Sequence, residues 1–390
     1  MSGDRDRLLT LFQAALTAVR GDCLAEAALV DSKARHVIAL GKAAEALATG
    51  AWRVGRDTIR SGFVALPCGY GTGELSPEAP FVCYAGAHPV PDESSLMAGA
   101  ELERYAAGLP RSEPVVVFVS GGASACVECP APGVNLDLLR RTNAWLLGSG
   151  LPITAINAVR ARLSRLKGGG LAHWLQGCEV SAWVLSDVMG DADQWVGGAP
   201  LSAVPADLPP LPDWLHPALK SMAIHPSATV PLQRLAGNRD AVAAVCAEGA
   251  HHGGDLTGSL EAACADIVGT ITESEPGLFV WGGETTFELP DNPGRGGRCR
   301  HLALTLAREL AGSPGWSLLA ASTDGWDGTD AVAGACVNGT TLERGGCRGR
   351  DTEVDLAHAD SGSFFAGSDE EIITGSTGTN VNDLIIALKH

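Results

Sequence analysis

Aromatic residues are scarce in this chain of 390 residues, at 5%, and only three of them are tyrosines. So few rings leave little for the stacking platforms that hold single-stranded nucleic acid. Basic residues are also in short supply, with 28 Lys and Arg against 45 Asp and Glu, and the formal net charge is -17. A field of that sign repels DNA, RNA and anionic lipid, so neither nucleic acid nor membrane is expected as a partner. No uninterrupted run of about 18 apolar residues occurs, and no apolar segment follows the charged start MSGDRDRLL. A cytoplasmic location is the expectation. The eleven cysteines are scattered singly apart from Cys126-Val127-Glu128-Cys129, and a lone C-x-x-C with no second pair is a weak zinc signal. Free thiols are expected, with no disulfide framework and no structural metal.

Apolar residues (45%), 49 Gly and 22 Pro are present in quantity, enough for large cores joined by many tight loops. The length exceeds one ordinary domain, so two α/β domains are expected, spanning 1–230 and 231–390, with Pro200 to Pro231 as the linker region. The clearest organising stretch is Pro114 to Ala125, PVVVFVSGGASA. Its run from Val115 to Val119 has no polar interruption, as in a strand buried on both faces of a parallel sheet. It ends in Ser120-Gly121-Gly122-Ala123-Ser124, where small residues let a ligand approach the backbone and leave amides to face an anion. A following helix would add positive charge from its N-terminus. A tight turn with no ligand fits the stretch equally well.

Similar strand-to-loop transitions recur along the chain. Helical spacing opens it between Arg5 and Arg20. HVIAL then leads into Gly41-Lys42, without the spacing of a Walker A loop. Gly86 to Asp92 is stiffened by Pro89 and Pro91, which hold His88 and Asp92 in fixed places, and Ser94 is the expected cap of the next helix. Asn157 to Lys167 is the most basic segment of an acidic protein, with Arg160, Arg162 and Arg165, and Lys167 precedes three glycines. Against the overall charge, an anion-binding role is the reading for this segment. The strand from Val180 to Leu185 ends in Ser186 to Asp191, where Asp187 and Asp191 offer oxygen ligands to Mg²⁺ or simply make a turn. His251 and His252 fall in a Gly-rich turn. Leu278 to Trp281 leads into Gly282 to Thr286 with Glu284, and Arg298 opens a helix. Trp316 to Ser322 leads into Thr323-Asp324-Gly325. Gly375 to Asp383, with Asn380, forms a polar loop before a short terminal helix. In open α/β sheets the carboxyl ends of strands are where ligands bind.

Taken in order, these segments resemble the glycerate 2-kinase family with its MOFRL-type C-terminal domain; the hydroxypyruvate reductase name is also used within that family. The carrying segments are GKAAEA (41–46), GAHPVPDESS (86–95), FVSGGASA (118–125), NAVRARLSRLKGGGLA (157–172) and SDVMGD (186–191). They continue with GGETT (282–286), GRGGR (294–298), TDGWDGTDAVAGA (323–335) and TGTNVNDL (377–384). The chain departs from the family pattern at Ala123, Cys126, Cys299, Arg300 and His301, and in WVGGAP after the SDV loop. The resemblance implies a Rossmann-like N-terminal domain and a smaller α/β C-terminal domain, with the active site in the cleft between them. It also implies transfer of the γ-phosphoryl group of ATP to the 2-hydroxyl of D-glycerate with a divalent metal, and it gives Lys42 and Arg298 as the catalytic cations. A homodimer is compatible with this reading.

Phosphoryl transfer needs positioning and positive charge around the moving oxygens. Lys42 would act as a point charge and Arg298 as a fork. Asp324 would accept or orient the proton of the acceptor hydroxyl. Phosphate or acceptor contacts are expected from Ser120, Gly121, Gly122, Ser124, His88, Asn157, Arg160, Lys167, Glu284 and Asn380. Asp187 and Asp191 would ligate Mg²⁺, with Glu284 a further candidate. A kinase of a related sugar acid or polyol remains open. An NAD(P)-dependent hydroxypyruvate reductase lacks its G-x-G-x-x-G after a strand. A serine hydrolase lacks G-x-S-x-G at Cys126. A ligand-sensing relative without turnover is disfavoured by the retention of both cations.

Overall fold

The structure is a computed structural model that describes residues 2–190, 192–221 and 225–390. It forms two compact units, one of Gly21–Ala236 and the other of Met1–Arg20 joined with Gly237–His390. The division at 236/237 lies a few residues beyond the boundary expected at 230, and the first helix groups with the C-terminal residues.

Helix α1 (Ser2–Ala18) opens the chain. The Gly21–Ala236 unit runs α2 (Gly21–Leu29), β1 (His36–Leu40), α3 (Ala44–Gly55), β2 (Ser61–Pro67), β3 (Phe81–Gly86), α4 (Glu93–Gly108), β4 (Pro114–Ser120) and α5 (Ala123–Cys126). It continues with α6 (Leu136–Gly148), α7 (Ile153–Leu163), α8 (Gly170–Trp174), β5 (Glu179–Leu185), α9 (His216–Ser221) and β6 (Leu232–Ala236). Its sheet has the order β3-β2-β1-β4-β5-β6, with every neighbouring pair parallel. β1 is buried along its whole length and β4 from Val115 onward, which is why both read as unbroken apolar runs. The direction of growth reverses between β1 and β4, and sheets of this order bind ligands at that switch point.

The proline-rich stretch after Pro200 is packed structure within this unit rather than a linker. Val230 N–H donates to Leu201 O (3.0 Å) and Ala228 N–H to Gly169 O (3.0 Å), delivering β6 to the sheet edge. Helix α4 is capped by Asp92, whose carboxylate accepts from Ser94 N (2.8 Å) and Ser95 N (3.3 Å). Ser95 Oγ returns the bond by accepting from Asp92 N (3.2 Å), so the expected cap at Ser94 gives way to a capping box built on Asp92 and Ser95.

The second unit adds α10 (Asn238–Ala247), β7 (His251–Leu256), α11 (Leu260–Glu273), β8 (Gly277–Gly283), α12 (Arg298–Glu309), β9 (Trp316–Ser322) and β10 (Gly334–Asn338). It closes with α13 (Thr341–Cys347), α14 (Thr352–Ala357), α15 (Ser361–Phe365), β11 (Glu371–Ile372) and β12 (Asp383–Lys389). The mixed sheet has the order β11-β10-β9-β12-β8-β7. The expected terminal helix is therefore a strand, antiparallel to β8 on one side and β9 on the other. Leu384 to Leu388 are all buried, and an apolar run covered on both faces carries no periodicity to separate helix from strand. His251 and His252 likewise lie on β7 rather than in a turn.

Helix α1 spends its apolar face inside this unit, burying Leu8, Leu11, Phe12, Ala15 and Leu16. Arg5 Nη2 donates to Glu371 O (3.3 Å), and Ser317 Oγ to the Asp4 carboxylate (3.0 Å). Among the described residues, Gly3–Leu29 is the one stretch long and apolar enough by composition to cross a membrane, and 50% of its most apolar window is buried within the protein. Interrupted apolar positions, rather than a continuous run, make up that window, so a search for runs passes over it.

Candidate active site

In the Gly21–Ala236 unit, the loops after β1 and β4 brace each other at the switch point. Lys42 N–H donates to Gly121 O (2.8 Å). Ala43 N–H donates to Ser120 Oγ (3.1 Å), and Ser120 Oγ donates to Leu40 O (3.2 Å). This approach depends on Gly41, whose φ is +108° and where a Cβ would lie 2.4 Å from Ser120 O. Lys42 Nζ stands 5.2 Å from the centroid of the Tyr70 ring, within cation–π range. Tyr70 meets His88 edge-on at 6.2 Å. Gly122 closes the group at φ +84°, where a Cβ would come within 2.9 Å of Lys42 Cγ and 3.4 Å of His88 Cδ2. Lys42, His88, Ser120, Gly121 and Gly122 are thus brought together, with Ser124 one residue into α5. The helix expected to add charge there has only four residues, too few for a substantial macrodipole. Tyr70 is absent from the residues expected at the site; its one signal in the sequence is a rare tyrosine, one of three, standing between two glycines.

The basic segment is placed differently. Lys167 is 4% exposed, and its ammonium is paired with the equally buried Glu128 carboxylate. Glu128 Oε1 also accepts from Ser164 Oγ at 2.5 Å. The Lys167 charge therefore neutralises a carboxylate of its own unit instead of facing an anion at the glycine loop. Arg160 Nε donates to Asn143 Oδ1 (3.2 Å), and burial lowers its pKa against the opposing pull of Glu128. One helical turn away on α7, Asn157 is fully buried, and neither of its side-chain amide atoms has a hydrogen-bond partner. Cys126 and Cys129 are buried thiols pushed up to about 12 by burial, and all eleven cysteines are free.

Asp187 follows β5 at the same carboxyl edge of the sheet, half-buried. Asp191 lies outside the described residues. Among the described residues no three His, Cys, Asp or Glu converge in a metal-binding group.

In the second unit, a single sheet edge gathers the ends of three strands. Asp383, the first residue of β12, is in register with Gly283 at the end of β8 and Ser322 at the end of β9. Helix α12 starts beside them because Asp327 caps it. Asp327 Oδ1 accepts from Cys299 N (2.9 Å), and Oδ2 accepts from Arg300 N (2.9 Å) and Arg300 Nε (3.0 Å). That cap presents Arg298, the first helical residue, at the edge. Arg298 Nη1 pairs with Glu284 Oε1 (2.5 Å) and Nη2 with Asp383 Oδ2 (3.4 Å), while the buried Nε has no partner. Burial disfavours the guanidinium charge, but Asp383 and Glu284 together raise its pKa above the ordinary value. Burial pushes the Asp383 carboxyl up to about 6, with Arg298 pulling it back.

Asp324 is buried, and its Oδ1 accepts from Ser322 Oγ (3.0 Å) and Trp326 N (2.9 Å). Asn380 is buried in the loop before β12. That loop is pinned by Asn238 Nδ2, which donates to Val381 O (2.7 Å) and Asp383 O (3.2 Å), and by Thr323 Oγ1, which donates to Asn382 O (2.7 Å). The three departures after Arg298 face inward. Cys299 is buried, Arg300 is fully buried against Asp327 and Asp330, and His301 lies 4.1 Å from the Phe287 ring, pushed down to about 4 by burial. Asp383 is likewise absent from the residues expected at the site; its signal in the sequence is no more than being the single acidic residue of TGTNVNDL.

Residues 7–209 match DUF4147, a domain family of unknown function, and residues 277–383 match the MOFRL family. The D-glycerate 2-kinase of Thermotoga maritima is 34% identical over 382 residues, covering 90% of each chain. The glycerate 2-kinase of Pyrococcus horikoshii is 30% identical over 391 residues, covering 90% of this chain and 87% of its own. The crystal structure of a Thermotoga maritima glycerate kinase superposes with a TM-score of 0.82 at 29% identity over the full length of both chains. Likeness of sequence and of fold runs through both strand-edge clusters, and the chain belongs to the glycerate 2-kinase family, with a MOFRL domain as its C-terminal part.

Proposed function

We propose that this protein transfers the γ-phosphoryl group of ATP to the 2-hydroxyl of D-glycerate or of a closely similar small hydroxy acid. The observation that carries the reading is the place of Lys42. It stands at the switch point of the β3-β2-β1-β4-β5-β6 sheet, between the loops after β1 and β4. A dinucleotide-binding Rossmann sheet puts its glycine fingerprint in the first strand-to-helix turn. Here that turn carries a lysine against an aromatic ring.

Lys42 supplies a point charge to the transferring phosphoryl oxygens, and the Gly121–Gly122 backbone admits them closely. Arg298 offers planar N–H donors suited to phosphoryl or carboxylate oxygens. Asp324 receives or orients the proton of the attacking hydroxyl. His88, Ser120 and Ser124 line the Lys42 cluster, Asn380 lies near Arg298's strand edge, and Asn157 with Arg160 offers polar groups for the acceptor's carboxylate. The unpartnered Arg298 Nε and the glycine cradle both suit an anionic substrate.

Mg²⁺ carried on nucleotide phosphates needs only one or two protein carboxylates, so a single strand-end Asp is an adequate donor set. Asp187, with Asp191, would hold it. When bound, the ion neutralises charge on the β- and γ-oxygens. Eleven free thiols support a reducing, cytoplasmic setting.

The test is ATP consumption over a panel of glycerate, tartronate, four-carbon sugar acids and polyols, for wild type, Lys42→Ala and Arg298→Ala. Turnover with glycerate that falls by about a thousandfold or more in folded variants supports the reading. Near-normal turnover in either variant overturns the role given to that cation, and NADH oxidation with hydroxypyruvate in the absence of ATP turnover overturns the kinase reading.

A further inference from the structure

Arg298 is held by two carboxylates that differ in how firmly they are fixed. Asp383 begins a strand hydrogen-bonded on both sides, to β8 and β9, and its carbonyl accepts from Asn238 Nδ2 at 3.2 Å. Its side chain is only 6% exposed, against 44% for Glu284. The Asp383 backbone is fixed in the middle of a sheet and its side chain is enclosed, whereas the half-exposed Glu284 side chain can rotate into solvent.

An oxyanion that takes both oxygens to a guanidinium needs two neighbouring N–H groups. With Nη1 on Glu284 and Nη2 on Asp383, the two terminal nitrogens are divided between the carboxylates, and an oxyanion arriving end-on from solvent meets Glu284 at Nη1. The unpartnered Nε shows that the fork is not yet saturated.

We propose that Asp383 is the positioning residue that fixes Arg298 for phosphoryl transfer, and that Glu284 is a placeholder which the incoming anion displaces. Asp383 acts through the guanidinium: it sets the plane of the fork and keeps Nη2 in place while Nη1 changes partner. Glu284 occupies the Nη1 side of Arg298, where the anion would bind, and shields the cation from other carboxylates. The high carboxyl pKa of Asp383 agrees with a group held in place despite the cost of burial. Without that anchor, an arginine side chain with four rotatable bonds samples other directions, and a displacement near 1 Å costs about a hundredfold in rate.

This inference rests on the kinase reading, so its test separates the two. Steady-state kinetics with ATP and D-glycerate are measured for Asp383→Asn, Arg298→Ala, their double variant and Glu284→Gln, with folding checked by thermal melts. Asp383→Asn is expected to lose about 10–100-fold in kcat with KM changed far less. The double variant is expected to be no slower than Arg298→Ala. Added guanidinium ion should partly restore Arg298→Ala but not the double variant, which has lost the anchor for the added cation. Glu284→Gln is expected to bind the anionic substrate more tightly, with a KM several-fold lower. Absence of ATP turnover with D-glycerate in the wild type defeats the kinase reading itself, and a fully active Arg298→Ala defeats the role of Arg298 and of Asp383 with it. An inactive Arg298→Ala combined with independent, multiplying losses in the double variant defeats only the role of Asp383, and a raised KM in Glu284→Gln defeats the placeholder. If Asp383→Asn does not fold, Asp383→Glu serves in its place. It keeps the charge but moves it, so a folded variant with full kcat overturns the proposal.

Discussion

Gly122→Ala isolates the placement of Lys42 from the stability of the fold. Gly122 sits at φ +84°, and Gly133 in the same unit sits at φ +85° with nothing within 4 Å of where a Cβ would stand. Alanine at either position carries the same left-handed strain, about 1–2 kcal/mol. Part of that is offset by the smaller conformational freedom of the unfolded chain, about 0.4–1 kcal/mol. Both variants should therefore lose roughly 1 kcal/mol, which for a unit of this size lowers Tm by about 2–4 °C. They differ in what the new methyl group touches. At 122 it would stand 2.9 Å from Lys42 Cγ and 3.4 Å from His88 Cδ2. The lysine stem is flexible and moves first, so the additional cost in stability is small, while the ammonium shifts by an ångström or so. Such a shift costs about a hundredfold in turnover. The assay pairs thermal melts with kcat for ATP and D-glycerate. Similar melting points with a kcat loss confined to Gly122→Ala support the placement of Lys42; equal kcat in the two variants would refute it.

Lys42→Arg should fail to restore the activity lost in Lys42→Ala, because a guanidinium stacks flat on the Tyr70 ring and spreads its charge over a longer, planar fork instead of presenting a compact ammonium to the phosphoryl oxygens, and kcat for the pair reads this directly. Asp383 bears on stability with a definite sign. Its folded pKa of about 6 lies above the ordinary value of 3.8, so its contribution is fully present below the lower value and is lost as pH rises through the higher one. That displacement corresponds to roughly 3 kcal/mol. Denaturant melts between pH 4 and 7 should show wild type falling relative to Asp383→Asn as pH rises, and a constant difference would contradict the burial argument. Lys167→Met leaves Glu128 buried without its partner and should destabilise by about 3–5 kcal/mol, with Lys167→Met/Glu128→Gln recovering most of the loss. No recovery in that double variant, followed by urea unfolding, would show that the pair is not the reason Lys167 is buried.

The strand-end loops are legible because their signals are local. An unbroken run such as Val115 to Val119 followed by Ser-Gly-Gly can be recognised within one window, and so can Lys42 behind HVIAL. What cannot be read depends on partners remote in sequence. Lys167 reads as an anion ligand because nothing near it reveals Glu128, 39 positions earlier. Helix α1 shows its apolar face clearly, but that face carries no mark of which sheet it will cover. DLIIALK is apolar on every side, and only the flanking strands β8 and β9 decide that it is extended. Asp383 escapes notice for the same reason, since its importance arises from register with Gly283 and Ser322 and from the arginine brought beside it. Cys299, Arg300 and His301 resemble changes in the site because they follow Arg298 directly; the helix turns them inward.

Phosphorus-31 NMR of the reaction product, recorded with proton coupling, tests the central claim most directly. A phosphate ester on the 2-position of glycerate couples to the single methine proton and gives a doublet, appearing as ATP is converted to ADP and failing to appear with Lys42→Ala or Arg298→Ala. A triplet from the methylene position would contradict the assigned hydroxyl, and ATP left intact with every hydroxy acid offered would contradict phosphoryl transfer altogether.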